Sequence, residues 1–198
     1  MDSTLRLGNL HFLHLNWDDV QSLSENLAQK IVASGFEPDL IVAVSRGGFD
    51  PARILCDQLG VRKLASVQLE AYDGMVKRPE PIIVLPLNAD VAGLNVLIAD
   101  DVSDSGASLL KAKKHIEEKG ASSVRVATLH IKPWSSFLPD YYAERVNVWV
   151  VYPWELKECL IEVANKLRTN GLQGKTIARE LVEAGFNERD VAHYLPLE

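Results

Sequence analysis

The sequence predicts an α/β protein built on a mainly parallel sheet that is flanked by helices. Two continuous apolar runs, at residues 40–44 and 96–99, are typical of parallel strands that are buried on both faces, and residues 124–131 are expected to form the next buried strand. Segments with apolar residues at helical spacing separate these runs. With 198 residues, the chain is long enough for one sizeable core and a small appendage.

The first elements are an extended arm and one amphipathic helix. His11 and His14 lie among apolar residues in a pattern that suits an edge strand better than a metal site. Apolar residues recur at helical spacing over residues 17–34, behind an acidic start that favours a helix N-terminus. The segment therefore predicts a helix that ends at Gly35.

The middle of the chain alternates between strands and helices. A helix over residues 51–59 follows the first apolar run, and a strand is predicted at 65–72. Residues 73–81 are polar, contain Gly and Pro, and have no periodicity, so they predict a mobile loop. A strand at 82–87 and a helix at 107–119 complete this part.

The end of the chain predicts a helical extension. Beyond residue 155, apolar spacing indicates helices that end near Gly171 and Gly185, and a short helical turn around Val191. We therefore expect a core over residues 1–155 and a C-terminal extension over residues 156–198. Within the core, the N-terminal arm and the segment after Lys132 are expected to form a small hood over the carboxyl edge of the sheet.

Composition excludes several classes of function. The formal net charge of −6 argues against nucleic-acid binding, and the extension from Leu156 onward has no basic surplus. No apolar run is long enough to span a membrane, and no secretory signal opens the chain. Cys56 and Cys159 are expected to be buried thiols in a reducing compartment, so we expect a cytoplasmic protein.

The most informative stretch is residues 96–108, where a buried strand leads into two carboxylates and then a turn of small residues. Asp100 and Asp101 have no basic neighbour, so hydroxyl groups or a metal are expected against them. Small residues at a helix start let backbone N–H groups approach a phosphate. The alternative is an ordinary acidic strand-to-helix turn. The predicted phosphate-binding residues are Ser105, Gly106, Ala107 and Ser108.

This order of residues resembles the phosphoribosyl diphosphate (PRPP) signature of the type I phosphoribosyltransferases, and the resemblance covers about residues 17–155. It implies that fold, transfer of a 5-phosphoribosyl group from PRPP to a purine nitrogen, and a magnesium ion (Mg2+). Asp100 and Asp101 would hold the ribose diol and orient the metal, directly or through water, with Glu155 as a further candidate ligand. Asp104 would accept the purine N7 proton as general base.

The resemblance also implies a diphosphate-binding loop and a lid. The loop follows the first buried strand, and the family often has a non-proline cis peptide there. Its residues are Ser45, Arg46, Gly47 and Gly48. The segment 73–81 would close over the substrates and exclude water, although a solvated loop tip explains its composition equally well. The lid residues are Tyr72, Asp73, Lys77 and Arg78.

Three residues are expected to bind the purine. Lys132 follows a buried strand and carries only donors, which suit a 6-oxo group better than the amino group of adenine. By resemblance to the xanthine-guanine type, Trp149 would stack on the base and the backbone of Val150 would read its edge. A core tryptophan is the alternative for Trp149.

The predicted function is therefore purine salvage with a 6-oxopurine such as guanine, xanthine or hypoxanthine. Three alternatives stay open. They are an adenine phosphoribosyltransferase, a non-catalytic PRPP-sensing regulator with the extension as its output module, and a scaffold subunit. Since relatives in the family commonly pair, we expect a homo-oligomer, either a dimer or a tetramer.

Overall fold

A computed structural model describes residues 4–8, 10–73 and 76–195, and gives the backbone alone for residues 4–6, 10, 71–73 and 76–79. The chain folds into two compact units. One unit comprises Met1–Asp19 with Val148–Glu198, and the other comprises Val20–Asn147. The chain thus leaves the first unit, builds the second, and returns to the first.

The described residues form the following elements in chain order. The strands are β1 (Thr4–Leu7), β2 (Leu10–His14), β3 (Leu40–Ser45), β4 (Leu64–Asp73), β5 (Val76–Leu85), β6 (Asn95–Ser103), β7 (Ser123–Ile131), β8 (Tyr141–Arg145) and β9 (Trp149–Val151). The helices are α1 (Trp17–Ala33), α2 (Phe49–Leu59), α3 (Ala107–Glu118), α4 (Leu156–Thr169), α5 (Gly174–Glu183) and α6 (Glu188–Tyr194). None of the described helices has the length and apolar character needed to cross a membrane.

A six-stranded sheet forms the centre of the Val20–Asn147 unit. Its strand order is β5-β4-β3-β6-β7-β8, and every neighbouring pair is parallel except β4 and β5. The predicted α/β class with a mainly parallel sheet is confirmed. The chain runs from β3 to one side and from β6 to the other, so the strand order reverses between them. Open α/β sheets bind ligands at the carboxyl ends of such strands.

Helices cover this sheet and bury the predicted apolar runs. Helix α3 buries Leu109, Ala112 and Ile116 in one cluster with strand residues that include Val96 and Val126. Helix α2 packs on β3 and β6. Because the core strands are covered, the polar residues that follow them are held at the carboxyl edge by a rigid scaffold.

The other unit, Met1–Asp19 with Val148–Glu198, pairs the start of the chain with its last helices. Strands β1, β2 and β9 form a three-stranded sheet in which β2 runs antiparallel to β1 and parallel to β9. Apolar residues of α4, α5 and α6 pack with this sheet in one cluster that includes Phe12, Val151, Leu160, Leu181 and Val191. The three helices expected after residue 155 are present, and the domain boundary placed there stays a prediction.

One sequence-based prediction is wrong. Residues 76–81, expected in a mobile loop, belong to β5, whose backbone pairs antiparallel with β4. The prolines at 79 and 81 suggested a loop because proline has no N–H to donate to a neighbouring strand. An edge strand such as β5 tolerates proline, since one side of its backbone needs no partner. Residues 74 and 75, in the same predicted loop, lie outside the described part of the chain.

The two cysteines are buried free thiols, and burial determines their chemistry. Desolvation raises the pKa of Cys159 to about 12 and also raises that of Cys56. Because the thiolate is the nucleophile, we expect the native protein to resist iodoacetamide at about pH 8, with the rate rising only as pH approaches the raised pKa. Urea-denatured protein should lose both thiols quickly. Rapid labelling of Cys159 in the native protein, followed by mass spectrometry, would contradict its burial.

Candidate active site

The loop after β3 lies directly against the end of β6. The Ser45–Arg46 peptide bond is cis, as the family resemblance led us to expect. A Cβ atom at Gly47 would lie 2.0 Å from Oδ2 of Asp101, and one at Gly48 would lie 2.3 Å from the carbonyl oxygen of Ala99. The absence of side chains at these positions therefore allows the Arg46–Gly48 backbone to reach the acidic pair.

Asp100 and Asp101 are each held by a backbone hydrogen bond at the end of β6. Oδ1 of Asp100 accepts the N–H of Asp101 at 3.1 Å, and Oδ1 of Asp101 accepts the N–H of Val102 at 2.7 Å. Asp101 is only 7% exposed. The local backbone is therefore a partner of this pair that the sequence did not predict, and the hydroxyl groups or metal expected against them stay a prediction.

The predicted phosphate loop begins the following helix. Gly106 has φ +82° and precedes α3 as its N-cap residue, a conformation that glycine adopts without strain. A Cβ atom there would lie 2.4 Å from Cβ of Phe137, so the loop also needs glycine for space. Ser105, Ala107 and Ser108 are half-buried beside it.

Residues 132–137 fasten this phosphate loop from the end of β7. The N–H of Lys132 donates to the carbonyl oxygen of Ser103 at 3.0 Å. Both the N–H and the hydroxyl of Ser136 donate to the carbonyl oxygen of Ser105, at 3.1 and 2.8 Å. The buried hydroxyl of Ser103 lies 2.9 Å from that of Ser135. Sequence reasoning missed these serines, because serines in a turn carry no signal of a long-range partner.

Lys132 and Asp104, which are expected to act on the purine, lie near each other at the ends of β7 and β6. Lys132 is 7% exposed at the end of β7. Burial lowers the pKa of its ammonium group, and the nearby carboxylate of Asp104 acts in the opposite direction. Asp104 is exposed, and its Oδ1 accepts a hydrogen bond from the indole N–H of Trp134 at 2.9 Å. The structure therefore brings together, at the carboxyl edge of the sheet, the predicted general base Asp104 and Lys132, the predicted donor to the 6-oxo group of the purine.

His130 is a further buried titratable group that sequence reasoning did not single out. It lies in β7 opposite Val102 of β6 and is fully buried. Burial and the positive charge of Lys132 lower its pKa to about 4. The imidazole is accordingly neutral at physiological pH and adds no charge beneath the site.

Three predicted site residues lie in the other unit, on and after β9. The ring of Trp149 lies 5.7 Å from that of Phe12, and Nζ of Lys166 lies 4.8 Å from its centroid. Val150 is buried, and Glu155 is the N-cap residue of α4. Trp149 is half-buried and packs against the apolar cluster of its unit, and its stacking on a base stays a prediction.

The predicted lid residues lie at the tip of the β4–β5 hairpin. The backbones of Tyr72 and Lys77 are register partners, and Asp73 pairs with Val76. The side chains of the four predicted lid residues, Arg78 among them, lie outside the described part of the chain.

Within residues 4–195 as described, no group of three or more His, Cys, Asp or Glu side chains could hold a metal by itself. Asp100 and Asp101 supply oxygen atoms alone. Such a pair fits Mg2+ that is bound mainly by substrate oxygens, because Mg2+ prefers hard oxygen ligands and few protein contacts.

A family comparison agrees with this geometry. The model of the phosphoribosyl transferase domain matches residues 16–158. The chain belongs to this phosphoribosyl transferase family. The resemblance identified from the PRPP signature is confirmed, and the matched region ends early in α4, so α5 and α6 lie outside it.

Individual members of the phosphoribosyl transferase family resemble this chain over most of their length. The xanthine-guanine phosphoribosyltransferase of Gluconobacter oxydans is 32% identical over 149 residues, which cover 74% of this chain and 86% of that protein. The one from Cereibacter sphaeroides is 28% identical over 160 residues, covering 76% and 91%. The crystal structure of a purine phosphoribosyltransferase from Pyrococcus horikoshii is 35% identical, with TM-score 0.65 and coverage of 72% and 93%.

Proposed function

We propose that this protein is a purine phosphoribosyltransferase that joins the 5-phosphoribosyl group of PRPP to a 6-oxopurine and releases diphosphate. The observation that carries the proposal is the approach of Asp104, after β6, to Lys132, after β7, beside the PRPP signature and next to the β3–β6 pair at which the strand order reverses. The names of the relatives support the same substrate class. Guanine, xanthine and hypoxanthine are the proposed bases, and purine salvage is the role.

PRPP would bind at the carboxyl ends of the paired strands β3 and β6. The start of α3 and its small residues would bind the 5-phosphate, because backbone N–H groups there are close to the surface and carry partial positive charge. The Arg46 guanidinium, with the backbone of Gly47 and Gly48, would bind the diphosphate that leaves. Asp100 and Asp101 would accept hydrogen bonds from the ribose hydroxyls.

Mg2+ bound with PRPP would neutralise charge on the leaving diphosphate. Asp100 and Asp101 are the residues that would hold it, directly or through water, with Glu155 as a further candidate. The protein would contribute by holding PRPP and the purine in the orientation needed for reaction as positive charge develops on the ribose.

Asp104 and Lys132 would act on the base. The Asp104 carboxylate would accept the N7 proton as the new glycosidic bond forms. The Lys132 ammonium would donate to the 6-oxo oxygen, an acceptor that adenine lacks. Base stacking by Trp149, edge reading by Val150, closure by the lid residues, a homo-oligomer and a cytoplasmic location stay predictions.

The direct test measures consumption of guanine, hypoxanthine, xanthine and adenine with PRPP and Mg2+. We expect turnover of one or more 6-oxopurines and little of adenine. Turnover of adenine alone would overturn the assignment of Lys132 and leave the enzyme class in place. PRPP binding without turnover of any base would instead favour the PRPP-sensing regulator.

Replacing Lys132 tests the proposed choice of base. Lys132→Met keeps most of the side-chain volume and removes every donor, so kcat/KM for the 6-oxopurine should fall about a hundredfold. Lys119→Met, an exposed lysine just beyond the far end of α3, is the matched control and should behave as wild type. Equal losses in the two variants, or none in either, would contradict the role of Lys132.

A further inference from the structure

Trp134 is held in an arrangement that packing does not explain. Its side chain is 58% exposed, although burial is the usual reason for a large aromatic residue to be ordered. Its backbone lies in the segment 132–137, whose neighbouring residues are hydrogen-bonded to Ser103 and Ser105. The indole is therefore carried on a fixed support directly beside Asp104.

The indole touches both residues that are proposed to act on the purine. Its N–H donates to Oδ1 of Asp104 at 2.9 Å, and Nζ of Lys132 lies 5.8 Å from its ring centroid. Indole nitrogen is a donor only, so it can engage the carboxylate without competing for the proton that Asp104 would take. Ammonium groups are attracted to the face of such a ring at this distance.

We propose that Trp134 is a positioning residue that orients the carboxylate of Asp104 toward the purine. This inference rests on the proposed function of the site. With Oδ1 held by the indole, Oδ2 is the oxygen presented to N7. An exposed carboxylate without this bond samples several rotamers, and misplacement of a reacting group by about an ångström is costly in rate.

Trp134→Phe separates the two contacts, because phenylalanine keeps an aromatic face for Lys132 and lacks the N–H. The single-turnover rate of nucleotide formation should fall about tenfold, as expected for loss of a hydrogen bond to a charged but exposed group. KM for PRPP and the preference among bases should stay as in wild type. Trp17→Phe, which alters a tryptophan that is 56% exposed in the other unit, is the matched control and should keep the wild-type rate.

A double-mutant cycle with Asp104→Asn identifies the route of the effect. If Trp134 acts through the base, Trp134→Phe should slow the wild type about tenfold and change the slower Asp104→Asn protein hardly at all. The same loss in both backgrounds would reveal a merely structural role and overturn the proposal, as would an unchanged rate in the single variant. If the wild type turned over no purine, the proposed function would fail first, which is a distinguishable outcome.

Discussion

Asp104→Asn should lower the single-turnover rate about 10²–10⁴-fold while PRPP binds as tightly as to the wild type. The amide is nearly isosteric, and its oxygen can still accept the indole hydrogen of Trp134, so position is retained. What disappears is the carboxylate that is proposed to take the N7 proton. Rapid-quench assays with guanine or hypoxanthine measure the rate, and calorimetric titration measures PRPP affinity.

The control for this substitution is Asp90→Asn. Asp90 is exposed, and its Oδ1 accepts the N–H of Ala92 at 3.0 Å, a bond that asparagine can also make. It lies in the connection between β5 and β6, ahead of the amino end of β6, and has no proposed role. Near-normal turnover by Asp104→Asn would show that another group accepts the proton, whereas a loss of PRPP affinity would move Asp104 from chemistry to binding.

Gly48→Ala should destabilise the protein by about 2–4 kcal/mol and abolish PRPP binding. Gly48 has φ −71° and ψ −9°, which any residue adopts, so its dihedral angles do not require glycine. The lack of space requires glycine, because a Cβ atom would lie 2.3 Å from the Ala99 carbonyl oxygen and 2.6 Å from that of Val44. These are backbone atoms of β3 and β6, so relief must come from moving the loop that approaches Asp101.

Gly60→Ala provides the contrasting case. Gly60 has φ +68° with nothing within 4 Å of an added Cβ, so alanine there introduces dihedral strain alone. Its cost should be about 1 kcal/mol, with PRPP affinity unchanged. Urea denaturation and PRPP titration of both variants decide the matter. A Gly48→Ala protein that binds PRPP normally would mean that the close approach of this loop is unimportant.

The parts of the fold that sequence predicted well are those with strong local signals. Strand β3 is an almost entirely apolar run, β6 and β7 consist largely of apolar residues, and α3 begins at a turn of small residues. Strand β8 was not anticipated, since Tyr141–Arg145 has no uniform hydrophobic pattern and is stabilised by its pairing with β7. Strand formation there depends on a neighbour that local composition does not reveal.

The candidate site shows the same division between local and distant information. Asp100 and Asp101 lie near the carboxyl end of β6 and Asp104 directly follows it, so their motif was visible in the sequence. The bond between Trp134 and Asp104 joins residues thirty positions apart and depends on the turn after β7. Trp149 shows that a family resemblance does not reveal local packing. The resemblance predicted that its ring stacks on the purine, whereas the contacts that the structure shows are with Phe12 and Lys166.

The pairing of β2 with β9 has a consequence for how the protein is made. Phe12 is the register partner of Trp149, so the ribosome must complete the whole Val20–Asn147 unit before β2 can acquire its parallel neighbour. Domains generally fold as units during synthesis, and distant contacts form slowly. The nascent chain can therefore form the six-stranded sheet before β9 has been synthesised and can pair with β2.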